Sequence, residues 1–186
     1  MAVAIAGMVQ AGEALNAAEQ PVSICMSLGP DLQPLAAAEK LASKMFAAIG
    51  VTVGWPQGRI PCPRERAVII DLSYRTADND HPGAWAYALP YEGSHVVVFW
   101  DRIQLKMPAT NRAQILLAHV LVHEITHILE GVNTHSESGI MKAHWSDEDL
   151  FEMMKKPLSF TASDIRIIHF GLGVRSRTGG TPAASK

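Results

Sequence analysis

HEITHILEGVNTH, residues 123–135, decides how the rest of the chain is read. It follows ILLAHVLV, residues 115–122, an apolar run that places this segment in a buried helix. Thr110 reads as the start of that helix and Gly131 as its stop, so that Thr110 to Glu130 form one long element. Side chains four apart on a helix share a face about 6 Å apart. His123 and His127 can therefore reach one ion. Glu124 lies one step round the same face, too close in sequence to be a comfortable third ligand but well placed to act as a general base. The bland alternative is a pair of core histidines satisfied by hydrogen bonds. It leaves the adjoining carboxylate in a buried helix without a purpose.

A catalytic zinc site takes three protein ligands and keeps a position open. Two candidates for the third follow. Gly131 lets the chain double back, so Val132, Asn133 and Thr134 can return His135 to the ion. Asp147, twenty residues past His127, and its neighbour Glu148 are the rival, although acidic residues in a first helical turn are expected from the helix dipole alone. His119, one turn before His123, reads as a partly buried structural histidine, and Glu137 and His144 as surface or loop residues.

The surroundings are those of a small α+β domain. The chain has 186 residues, 48% of them apolar and 18% charged, enough for one domain with a real core and too apolar for a disordered chain. Net charge is −2 with no basic cluster, which excludes a nucleic-acid footprint and a polybasic membrane patch. Strands are predicted over 22–28, 51–55, 67–72 and 95–100, and helices over 35–49, from Ser146 onward, and from Thr161 or Ser163 through Phe170. Residues 56–65 and 74–84 read as loops by their Pro, Gly and Asp content. The domain is expected to span residues 21–173, with a disordered tail over 174–186.

At this point the sequence resembles a known group. The helix H-E-x-x-H, a Gly, a third His followed by Ser136, and Met141 within SGIM are similar to the metzincin zinc peptidases, the matrixin branch especially. FTASDIRIIHFGLG, residues 160–173, resembles the closing helix of matrixin catalytic domains. AWAYALP followed by HVVVFW resembles the strand region bordering their cleft, and the likeness spans residues 84–173. Metzincins space the motif H-x-x-G-x-x-H, whereas this chain has one extra residue in each gap, H-x-x-x-G-x-x-x-H. The resemblance implies a mixed sheet with a long active-site helix, a Met-turn and a C-terminal helix. It implies one catalytic Zn²⁺ on His123, His127 and His135, Glu124 as general base and Met141 as a packed floor beneath the ligands. A peptide or protein substrate is then expected along the 95–100 strand, with His95 and Val97 in contact with it. In thermolysin-like zinc peptidases a carboxylate at the distance of Asp147 takes the third position, so both ligand sets stay open here.

Two other classes compete with a peptidase: a zinc-stabilised binding module without turnover, and a zinc hydrolase of non-peptide amides. An intact Glu124 argues against the first, because a structural site is closed by four protein ligands and has no use for a base. Residues 1–20 read either as a secretory signal or as a weakly helical N-terminal arm, since the apolar run Ala2 to Val9 is followed by small residues but preceded by no Lys or Arg. That run is too short to span a bilayer, so no stable membrane anchor is expected. Export to a secreted or periplasmic location is the expectation, and with it goes a Cys25–Cys62 disulfide, against the alternative of two unpaired thiols.

Overall fold

The computed structural model describes residues 21–26, 33–56 and 67–178. Ten elements follow in chain order: β1 (Val22–Met26), α1 (Gln33–Ala47), β2 (Val53–Gly54), β3 (Val68–Ser73), β4 (Ala86–Leu89), β5 (His95–Phe99), α2 (Trp100–Lys106), α3 (Thr110–Glu130), α4 (Asp147–Met153) and α5 (Ala162–Thr178). This is the expected α+β architecture. The sheet runs β2-β1-β3-β5-β4, parallel throughout except for β4, which pairs antiparallel with β5.

Strand position follows from residue type. The apolar run HVVVF of β5 is flanked by β3 and β4, and Val96 and Val98 are fully buried on one face. A continuous apolar run of this kind is what an interior strand presents. The sequence leads one to expect a substrate-bordering edge on this strand; the strand order instead places β5, with His95 and Val97, between β3 and β4, and β4 at an edge of the sheet. The register sets Ala86 opposite Val98 and Ala88 opposite Val96, so these small residues share the buried face that α3 packs against.

α3 is the axis of the core. It packs against α1, α5, β4 and β5, and every residue from Leu116 to Glu130 is buried. Thr110 is its first helical residue rather than a side-chain cap; Ala109 precedes it in extended conformation. Two later helices start as expected. Ser146 and Asp149 form a reciprocal capping box on α4, and Thr161 exchanges the same pair of hydrogen bonds with Asp164 at the start of α5. α5 continues through Thr178, past the domain end expected at 173, carried by its packing on α3. Residues 1–20, Cys62 and residues 179–186 lie outside the described residues; Cys25 is disulfide-bonded. No described helix is long and apolar enough to cross a membrane.

Candidate metal centre

His123 and His127 come from the last two turns of α3, both buried, and His135 from the exposed loop that follows. Gly131 makes the return possible. It sits at φ 70 in the left-handed region, and its N–H closes the helix on the His127 carbonyl at 3.0 Å. The ring centroids then lie 4.7 Å (His123–His127), 5.3 Å (His123–His135) and 4.9 Å (His127–His135) apart. One nitrogen from each ring falls within 4.8 Å of the others, the one metal-competent cluster among the described residues. The longer spacing on each side of Gly131 is therefore compatible with convergence. Asp147 stands elsewhere: its side chain is 90% exposed and pairs with Lys106 at 3.3 Å. Glu148 is exposed as well.

The donor set fits a cation. His123 Nδ1 donates to the Ile140 carbonyl at 2.9 Å, and His127 Nδ1 faces the Val132 carbonyl at 3.3 Å. With the ring protons on Nδ1, each Nε2 carries a lone pair, yet the two Nε2 atoms approach to 3.1 Å. Two acceptors facing each other in a buried site call for an electrophile shared between them. Burial holds both rings neutral: it pushes His123 down to about 4, and with the neighbouring histidines it pushes His127 down to about 3. His135 is lowered too, first by burial and then by His144.

The loop after His135 is tied at several points. Ser136 N–H donates to the Met141 carbonyl at 2.8 Å, and Ile140 N–H to the Ser159 carbonyl at 2.9 Å. Gly139, at φ 77, could carry no side chain, since a Cβ would run into the Ser159 carbonyl. Met141 is buried at 1% exposure. The turn it closes thus presents the Ile140 carbonyl that orients His123. Ser136 also donates its hydroxyl to Asp164 at 2.5 Å, which links the His135 loop to the first turn of α5.

Glu124 is buried against β4. Burial raises its carboxyl to about 8, opposed by a hydrogen bond from the Ala88 backbone. Beside it opens a cavity of about 550 Å³, bounded by β4, the three histidines, Glu124 and the segment Lys142 to Trp145. Trp145 packs on His123 at 5.5 Å, on Trp85 at 6.0 Å and on His119 at 6.3 Å. His119 itself is structural, as expected: Nδ1 meets the Ile115 carbonyl at 2.7 Å and Nε2 accepts from Leu158 N–H at 3.2 Å. Neither His95 nor Val97 lines the cavity; Ala86, Tyr87 and Ala88 do. The sequence places Trp85 in the strand region bordering the cleft, whereas it gives Trp145 no role and reads His144 as a surface or loop residue; both line the cavity. The two tryptophans carried a signal, since large aromatics near a metal motif demand a packing partner or a ligand.

No family model matches the sequence, and no curated protein matches it. The solved structure of archaemetzincin from Methanopyrus kandleri superposes with a TM-score of 0.57 at 14% identity, covering 86% of this chain and 99% of that one. The fold is shared with archaemetzincin. At this identity the likeness speaks for the architecture, mixed sheet and long central helix included.

Proposed function

We propose that this protein is a zinc-dependent peptidase, with one Zn²⁺ held by His123, His127 and His135. The observation that carries the reading is the convergence of three imidazole nitrogens whose Nδ1 partners turn two Nε2 lone pairs toward one point. Zinc bound there would supply Lewis acidity toward a water and toward a substrate carbonyl. With the charge of a bound zinc offsetting the burial that raises its carboxyl, Glu124, beside the cluster and facing the cavity, would accept the proton of the attacking water at its carboxylate and pass it to the leaving amine.

Substrate docking follows from the edge position of β4. The Trp85 carbonyl accepts from Phe99 N–H at 2.8 Å, so Trp85, Tyr87 and Leu89 turn their main chain toward β5. Ala86 turns its N–H and carbonyl outward and Ala88 its carbonyl, the Ala88 N–H being held by Glu124, and an extended peptide can add along this edge as a further strand. Trp85 and Trp145 wall the cavity with their rings in contact. Export belongs to the same proposal, supported by the disulfide of Cys25. Two free thiols and a retained Met1 in protein purified from its native cells would count against it.

The test of the function is a peptide-library cleavage assay beside Glu124→Gln, with zinc measured on both proteins. The variant should keep about one zinc while hydrolysis falls by ~10² or more, the scale of a positioned acid–base group. Undiminished hydrolysis removes Glu124 from the mechanism. A zinc-loaded wild type that cleaves no peptide favours the binding-module or non-peptide reading.

A further inference from the structure

The loop over residues 74–84 has no strand or helix of its own and runs directly into β4. Pro82, Gly83 and Ala84 line the cavity, and Trp85 follows as its aromatic wall. Something outside the loop must hold it. Within it, only Asp80 N–H to the Ala77 carbonyl and Ala84 N–H to the His81 carbonyl pair backbone to backbone, at 3.0 and 3.1 Å.

Arg102, in the first turn of α2, reaches across to four loop carbonyls. Its Nη1 donates to His81 at 2.8 Å and to Ala84 at 2.9 Å; its Nη2 donates to Asp80 at 2.7 Å and to Ala77 at 3.1 Å. The guanidinium plane is fixed from below by the ring of Phe99, 4.4 Å from its centroid. Four carbonyl oxygens around one positive centre is an arrangement usually built around a metal cation. A planar fork of donors achieves it here with a side chain. The neighbouring Asp101 secures the loop's start, accepting from Thr76 N–H at 2.6 Å and Thr76 Oγ1 at 2.8 Å. Burial pushes its carboxyl up, but these bonds and the adjacent guanidinium outweigh that and hold it below the usual range. Further along, His81 is the one described non-glycine residue at positive φ, 43, and its ring stacks on Tyr87 of β4 at 4.1 Å. A left-handed conformation at a non-glycine residue persists only where the surroundings impose it.

We propose that Arg102 is a positioning residue for the cleft, a built-in cation that gathers the carbonyls of Ala77, Asp80, His81 and Ala84 and thereby sets the rim against which substrate binds. The proposal rests on the peptidase reading for its kinetic consequence, but the clamp itself can be tested without activity. The loop is half-exposed, so water can take over the carbonyls when the guanidinium is lost. Removing Arg102 therefore loosens the rim more than it destabilises the domain.

The experiment compares wild type, Arg102→Ala and Arg102→Lys by three readouts: zinc content, amide exchange over residues 76–86, and KM and kcat on a cleaved peptide. Arg102→Ala should keep its zinc, exchange the loop at least ~10-fold faster, and raise KM roughly tenfold with kcat within about twofold, as expected for lost binding rather than lost chemistry. Arg102→Lys should recover part of the KM, because one ammonium cannot span all four carbonyls. If Arg102→Ala fails to fold, Arg102→Lys is read by the same criteria, with a smaller change in the same direction. Unchanged loop exchange would overturn the clamp. A loosened loop with unchanged KM would overturn its role in the cleft. A wild type that cleaves nothing would count against the peptidase reading instead, and the exchange comparison would decide the clamp by itself.

Discussion

The helix that carries His123 and His127 and the loop that carries His135 place their histidines by opposite means. On α3, both rings are buried and their spacing is set by helix geometry within one continuous element. After Gly131 the chain has no such frame. His135 is exposed, and its loop is held by distant partners: Ser159 on Ile140, and Asp164 on Ser136. A site can thus be rigid on both sides while only one side owes its rigidity to local structure.

The contrast can be broken or sharpened by substitution. The largest effect is expected on the helix side. His127→Ala should abolish zinc binding and peptide hydrolysis together and lower the thermal midpoint, because metal binding is coupled to folding and a buried ring is removed. Metal analysis and calorimetry of the same sample would show it; retained zinc would break the comparison at its firmest point.

Gly139→Ala should come next. The new Cβ meets the Ser159 carbonyl at a φ of 77, and strain of this kind costs on the order of 1–3 kcal/mol. Denaturant unfolding should register that loss, and zinc affinity should fall because the Ile140 carbonyl on His123 is displaced. Asp164→Asn sharpens the loop side. It weakens the hold on Ser136 and the cap of α5 without contacting a histidine, and zinc affinity should fall by less than the ~10- to 100-fold usual for a group bonded directly to a ligand. Competition with a chelator measures it, and an unchanged affinity would show that the loop is held elsewhere. Smallest is Asp147→Ala, which should leave zinc unaltered and stability within ~0.5 kcal/mol, since its pairing with Lys106 is at the surface. Loss of zinc in this variant would return the third position to a carboxylate.

The same contrast explains what the sequence made legible. α3 could be read because apolar periodicity, the His pair and Gly131 are all local signals. Ser146 and Thr161 announced their helices for the same reason. The edge of the sheet could not be read so directly. HVVVF was assigned to the cleft by resemblance, although its unbroken apolar character already spoke for an interior strand. The shorter AYAL of β4, partly exposed, is one edge of the sheet and β2 the other. α2 escaped notice because seven residues are too few for a periodic signal. The Arg102 clamp had no local signature at all, since its partners lie 18 to 25 residues away and are main-chain carbonyls that any sequence would offer. Helix and loop also differ in how their place in the cluster could be inferred: the His pair of α3 is spaced for one ion by helix geometry alone, whereas His135 needed Gly131 and a fold to bring it back.

The central claim is that three histidines, two from α3 and one from the loop, share a single zinc. X-ray absorption at the zinc edge on the purified protein, beside His135→Ala, tests it most directly. The account predicts one zinc per chain coordinated by three imidazole nitrogens and a lighter oxygen ligand, with one imidazole lost and affinity sharply reduced in the variant. An unchanged imidazole count in His135→Ala, or a protein carboxylate in place of the third ring in the wild type, would contradict it.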